Sequence, residues 1–548
     1  MNTHRQWGPQ VLVVSVQLGL GLGLGGCSDS SEPGMDEGRS STGGSDDLAG
    51  GESTTETSST GASGDPSGSE SDPSGSDSSD GSETETGSET ETETGDSGTG
   101  TGGQPPVCDL PAFQFAPPST AVDGLPAVAI DIHSIEAEIG FSADTFSASA
   151  SASLGFQVGP DGGMPIFDLR QDIEGALLDG EIEIGAEALA RHDFGRGMLY
   201  GFRILAVELE PCSLHTLAFD YVLEIPDAPE AGGLSWAQGP RLHYDSWSSD
   251  LNPGRYLESW IPANLPFDRY TLSLAVALTD ADIPHTLITN AEVDPLDSHE
   301  WLLEFPASTT AMAPLVVLVP SEELSEVGGV HLAANGQDIP YTLYRHQSVA
   351  QPLASLEAEL LAALDTFVLS TGEFTHPGMT AYVGEGLRSM EYDGALTTKP
   401  QDLRHEAFHS WWARGVHPAT YADGWIDEAW DMYNTTAGWS FTVQALDWNA
   451  NPVALYDPHP FARDTPDASY WEGLDLFAGL ASIMGLEPLR TAMAELYTDI
   501  GPLGSVTTDM LERHLYCASG EQAEVRAAFW RFARGQVGVP PPGDEACP

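Results

Sequence analysis

Basic side chains are scarce in this 548-residue chain, which has 20 Lys and Arg against 83 Asp and Glu. Lys399 is the only lysine, so 19 of those 20 are arginine. Neutralising a phosphate backbone takes clustered Lys and Arg that displace its counterions, and an anionic lipid surface holds polybasic segments by the same attraction. A formal net charge of −63 therefore excludes nucleic acid and a polybasic membrane contact as partners. Long apolar runs are missing as well. The N-terminal stretch from Val11 to Gly26 is Gly-rich and spans 16 residues, short of the roughly 20 that cross a bilayer as a helix. Cysteine is rare, with five in all.

What the N-terminus does hold is an export address. His4 and Arg5 precede the apolar stretch, the order of a secretory signal, and the stretch closes on Leu24-Gly25-Gly26-Cys27. This ending resembles the lipobox of bacterial lipoproteins, which implies that residues 1–27 are a lipoprotein signal and that Cys27 becomes the lipidated N-terminus. Ser28 after it is similar to lipoproteins passed on to the outer membrane or cell surface. The only membrane contact expected is then the lipid anchor. Residues 28–107 carry 19 acidic residues, one Arg and no aromatic residue. Such a segment cannot bury enough apolar surface to offset its ordering entropy, so it reads as a disordered, self-repelling acidic linker.

Past the linker the chain divides by periodicity. In 108–322, Ala148, Ala150, Ala152 and Leu154 alternate with Ser, and Tyr270, Leu272, Leu274, Val276 and Leu278 alternate with small or polar residues. Period-two patterning broken by Gly and Pro predicts an all-β domain of antiparallel sheets, a sandwich or saddle. In 323–548, Leu353, Leu356, Leu360, Leu364 and Phe367 recur at helical spacing, Met379 to Val383 reads as a short strand, and Leu474 to Tyr497 as one long helix. That half is expected to be α+β and mostly helical. With Cys27 assigned to lipid, Cys108, Cys212, Cys517 and Cys547 remain. An even number in an exported chain points to disulfides, for which three pairings exist. Two fall in each half, which favours Cys108–Cys212 and Cys517–Cys547.

The chemistry-bearing motif is His405-Glu406-Ala407-Phe408-His409. Residues four apart on a helix project from one face, so two imidazoles one turn apart can grip one Zn²⁺, with Glu406 beside them to handle a water proton. Eighteen residues separate His409 from Glu428, which opens a second apolar helical stretch, and Gly415, Pro418 and Gly424 punctuate the interval so that the chain can turn back. Two His and one Glu leave a fourth position open, the pattern of a catalytic zinc site. Asp427 is a candidate to orient the third ligand or else a surface residue, and His417 and His459 read as ordinary loop residues.

His-Glu-x-x-His with Glu after 18 residues resembles the gluzincin metallopeptidases of the aminopeptidase N type. His409-Ser410-Trp411-Trp412 is similar to that family's His-Gln-Trp-Trp, and Trp425-Ile426-Asp427-Glu428 to its Trp-Leu-Asn-Glu. The resemblance covers most of 110–548 and implies a thermolysin-like zinc peptidase domain over 323–548, one zinc per chain held by His405, His409 and Glu428, and peptide substrates. It further implies Glu406 as general base and Tyr470, in Ser469-Tyr470-Trp471-Glu472-Gly473, as the oxyanion donor. Met390-Glu391-Tyr392 is similar to the family's Gly-x-Met-Glu-Asn motif, which implies Glu391 as the carboxylate that binds a substrate's α-amine. There Arg388 and Ser389 stand where the motif begins with Gly, and Arg388 is a candidate to neutralise Glu391 and open the site to internal peptide bonds. Phe408 also resembles the glycyl aminopeptidases. A surface lipoprotein that keeps the fold only for binding is the alternative outside enzymology.

The anchoring is testable. A Cys27→Ala chain is expected to leave the membrane pellet after signal cleavage, and one that still sediments with membranes contradicts lipidation at this residue.

Overall fold

A computed structural model describes residues 107–541 and Cys547, apart from 109, 225–232, 238–240, 247, 266 and 439. The signal, Cys27 and residues 28–106 of the linker lie outside the described residues. No helix among the described residues is long and apolar enough to cross a membrane.

The first part of the chain forms three sheets. The largest has eight strands, with the long antiparallel pair Ile130–Ser142 and Ser147–Val158 at its centre. The serines and alanines of the second strand sort as read: Ala148, Ala150, Ala152 and Leu154 are buried, because successive side chains of a strand point to opposite faces. Tyr270–Thr279 sorts in the same way, with Leu272, Leu274, Val276 and Leu278 inward. This strand corrects one expectation, since it runs parallel to Ile130–Ser142 while pairing antiparallel with Glu300–Thr309 on its other edge. A parallel neighbour requires a long crossover, and more than a hundred residues, which hold several other strands, supply it. A four-stranded sheet contains Arg241–Asp245 and Val316–Pro320.

The later part pairs a mixed five-stranded sheet with seven α-helices among the described residues. Met379–Val383 lies in the middle of that sheet. The helices are α1 (Leu353–Ser370), α2 (Leu403–Phe408), α3 (Trp425–Thr435), α4 (Ala468–Met484), α5 (Leu486–Ile500), α6 (Thr508–Ala518) and α7 (Ala523–Phe532). On α1 the expected stripe of Leu356, Leu360, Leu364 and Phe367 is buried. The single long helix expected over Leu474–Tyr497 is two helices. Gly485 breaks it at φ +93°, a left-handed conformation that only glycine adopts freely, and Pro488 then lacks the N–H a continuing helix would use.

Disulfides join Cys108 to Cys212 and Cys517 to Cys547. Between the β-rich and helical segments runs a buried ion cluster. Arg463 Nη1 donates to Asp168 Oδ2 at 2.8 Å, its Nη2 pairs with Glu258, and Arg170 Nε lies 2.6 Å from Asp168 Oδ2. Burial opposes the charge on Asp168, but Arg170 and Arg463 outweigh it and hold its carboxyl below the usual range. Arg463→Met would take the paired cation from buried Glu258 and leave Asp168 with Arg170 alone, and is expected to destabilise the fold by about 3–5 kcal/mol in denaturant melts.

Candidate metal centre

Neither helix that carries the motif is stable by itself. At six residues α2 is far below the length at which an isolated helix persists, and it is held by aromatic packing. Phe408 and Trp411 lie 4.8 and 5.4 Å from Phe367 on α1, ring centre to ring centre. His409 follows at the helix cap with helical backbone angles, so His405 and His409 still stack one turn apart. Helix α3 packs on α4 through Trp430 against Phe477 at 4.9 Å. A Cβ on Gly473 would lie only 2.5 Å from Ala429 Cβ. Glycine there lets α4, which bears Tyr470, approach the turn of α3 that bears Glu428.

These contacts bring three predicted ligand atoms together. His405 Nε2 and His409 Nε2 are 3.4 Å apart, and Glu428 Oε2 is 3.5 Å from the first and 3.7 Å from the second. A triangle of these sides has a circumradius of about 2.0 Å, so one ion can sit at zinc–nitrogen and zinc–oxygen bonding distance from all three. Glu428 Oε2 is buried and accepts no hydrogen bond, while its Oε1 takes the Tyr470 hydroxyl at 2.7 Å. Burial pushes the His409 imidazole down to about 3, which leaves it neutral and able to ligate. The donor set therefore fits zinc.

The surroundings are strongly acidic. Glu406 is buried, and it, Glu391 and His409 offer ligand-type atoms within 4.8 Å of one another. Burial, then Glu391, Glu428 and Asp431, push the Glu406 carboxyl well above its usual range. Asp427, one of the two alternatives in the sequence reading, is not a surface residue. It is buried, and its Oδ1 accepts the Glu428 backbone N–H at 2.7 Å. Half-buried Asp250 arrives from the β-rich part of the chain, and burial together with Glu428 and Glu391 raises its carboxyl as well.

Glu391 faces this cleft with a partner the sequence did not suggest. Arg414, wholly buried, donates from Nη2 to Glu391 Oε1 at 2.9 Å. Burial opposes the Glu391 charge, but Arg414 prevails and keeps the carboxyl below its usual range. Arg388 is not the neutralising residue, for its Nη1 donates to Ser249 Oγ at 3.1 Å. His417 is not a loop residue either. It lies buried in a short parallel pairing with Ser505–Val506, where desolvation keeps the ring neutral. His459 does sit outside regular structure and accepts the Phe461 N–H.

Sequence reasoning missed Asp431. Its Oδ2 is 3.0 Å from His405 Nδ1 and 3.0 Å from His409 Nε2, and the residue is fully buried. For His405, whose Nε2 belongs to the ligand triangle, a carboxylate on the second ring nitrogen fixes tautomer and orientation, whereas toward His409 the carboxylate meets the ligating Nε2 itself. The available signal was spacing, since Asp431 stands three residues after Glu428 and shares its face of α3.

No protein-family model matches the sequence, and no curated protein matches it. Solved structures do. An M1 zinc metallopeptidase from Deinococcus radiodurans is 14% identical with a TM-score of 0.52, over 78% of this chain and 99% of that one. A form of it bound to a Tyr-Ser-Ala substrate gives 14% identity and 0.53, over 76% and 97%. Aminopeptidase A of Legionella pneumophila, in complex with aspartic acid, gives 13% and 0.56, over 76% of this chain and 51% of that one. The chain thus has the fold of the two-domain M1 zinc metallopeptidases.

Zn²⁺ is expected to bind at this centre with one equivalent, lost in His405→Ala. Asp431→Asn is expected to weaken that equivalent by about 10–100-fold in a chelator competition.

Proposed function

We propose that the protein is a zinc metallopeptidase that removes N-terminal residues from peptides, anchored by lipid at Cys27 to the outer membrane or cell surface. The observation that carries the proposal is the triangle of His405, His409 and Glu428 with Glu406 beside it. Zinc in that triangle would lower the pKa of a water to about 7 and polarise the scissile carbonyl. The protein's own residues do the rest. Glu406 is buried within reach of the cleft, and its raised proton affinity suits a base that takes a proton from the attacking water and returns it to the leaving amine. Tyr470, now donating to Glu428 Oε1, supplies a hydroxyl that can turn to the developing oxyanion, a contact worth roughly 3–4 kcal/mol in comparable sites.

Recognition of a free amine rests on charge. Glu391 acts electrostatically on Asp250, Glu406, Asp427, Glu428 and Asp431, and Arg414 acts on Glu391, Asp250 and Asp427. Six carboxylates can hold an ammonium as well as a divalent ion, and Glu391 and Asp250 are among those outside the ligand triangle. The Arg414–Glu391 pair supports a second reading. It commits Oε1 of Glu391 and weakens the demand for a cationic substrate end, which favours an endopeptidase.

One assay separates them. A blocked amine would leave the carboxylates without their cation at a cost of about 2–3 kcal/mol, so free aminoacyl reporters are expected to be cleaved about 30- to 150-fold faster than N-acetylated ones. Glu391→Gln keeps a hydrogen bond for Arg414 and is expected to erase most of that difference with zinc retained, and Glu406→Gln to keep zinc and lose turnover. Equal cleavage of free and acetylated reporters overturns the aminopeptidase reading.

A further inference from the structure

We propose that the protein carries a second divalent transition-metal site, formed by His243, Glu323 and His346, which shares no residue with the first. The three are distant in sequence. His243 is on strand Arg241–Asp245 of the four-stranded sheet, Glu323 closes the turn after strand Val316–Pro320, and His346 ends strand Asp338–His346 of the five-stranded sheet. The fold nevertheless aims both imidazoles at one oxygen. His243 Nε2 is 2.9 Å and His346 Nε2 is 3.1 Å from Glu323 Oε2, and the three ligand atoms lie within 4.8 Å of one another.

The chemistry of the donors selects the ligand. Two imidazoles and one carboxylate suit zinc and its neighbours, and not calcium or magnesium, which take oxygen donors. Without an ion, both rings must each carry a proton on Nε2 to donate to the same oxygen. A single divalent ion replaces both protons. Bonding at about 2.0–2.2 Å requires donor spacings of roughly 3.2–3.6 Å, a few tenths wider than those present. The rings can give that, since their side chains are 31% and 22% exposed while Glu323 is 7% exposed.

The environment is consistent with a bound cation. Arg241 pairs with Glu323 Oε1 at 3.0 Å and with Glu322, so it engages the oxygen away from the histidines and leaves the group one negative charge in excess. His346 Nδ1, across the ring from the proposed ligand atom, is engaged by Ser348, with its Oγ at 2.8 Å and its backbone N–H at 3.2 Å. An ion here would tie the β-rich sheet to the hairpin that leads into α1, and the partly exposed rings leave positions for water. It is a brace and not a reaction centre.

The test uses the full-length chain with His405→Ala, which removes the first centre from the measurement, and Zn²⁺ alone as the probe. Diethylpyrocarbonate modifies accessible imidazoles, and peptide mass spectrometry reads the rate at each. At free Zn²⁺ about ten times the Kd, His243 and His346 are expected to react about tenfold more slowly than in chelator. The bound equivalent is expected to disappear in His243→Asn and in His346→Asn. Equal rates at both rings with and without Zn²⁺, or protection of only one, overturn the proposal, and this readout needs no substitution at the site. Neither outcome bears on peptide cleavage, which is assayed separately on the parent chain.

Discussion

The constraint on which the site depends is the burial of excess negative charge. Glu391, Glu406, Glu428, Asp427 and Asp431 are buried in one cleft with His405 and His409, and Arg414 is the guanidinium paired among them. Taking so many carboxylates out of water is costly unless cations or hydrogen-bond donors accompany them. The raised proton affinities of Glu406, Asp427, Glu428 and Asp431 all have desolvation as their first cause. A divalent ion is the compact remedy, because two positive charges at bonding distance offset the repulsion at once.

Arginine placement shows the same constraint elsewhere. With 20 basic residues in the chain, Arg203, Arg255, Arg414 and Arg463 are nonetheless buried. Arg203 donates to the carbonyls of Leu169, Leu189 and Gln171, and Arg463 binds Asp168 and Glu258. A guanidinium suits these positions because it stays charged when desolvated and offers five donors in a fixed fork, whereas a buried ammonium tends to lose its proton. The near absence of lysine and the acidity of the surface are thus two sides of one distribution.

Much of this was legible from spacing. The interval of four between His405 and His409, and the two-residue alternation over Ala148–Leu154 and Tyr270–Leu278, are local periodicities, and local periodicity survives in sequence. The split at Gly485 was legible in principle, but a continuous apolar pattern on both sides concealed it. Arg414 on Glu391, Asp250 beside Glu428 and the parallel pairing of Tyr270–Thr279 depend on tertiary approach. No spacing encodes them. Asp431 stands between, since its helical offset from Glu428 was visible but its two imidazole partners were not.

The carboxylates that surround the His pair come from four separated segments: Asp250 from the β-rich part, Glu391 from strand Met390–Tyr392, Glu406 from α2, and the Asp and Glu residues of α3. The cleft therefore exists only when the two hydrophobic cores pack together, because Tyr382, Met390 and Tyr392 belong to the first core while Ala381, Val383 and Leu396 on the same sheet belong to the second. Each face of that sheet is committed to a different core. Binding an ion to the assembled cleft must then stabilise the packing of both, since whatever binds only the native state shifts the folding equilibrium toward it. The acidity that makes the empty cleft costly is also what makes occupancy and folding one equilibrium.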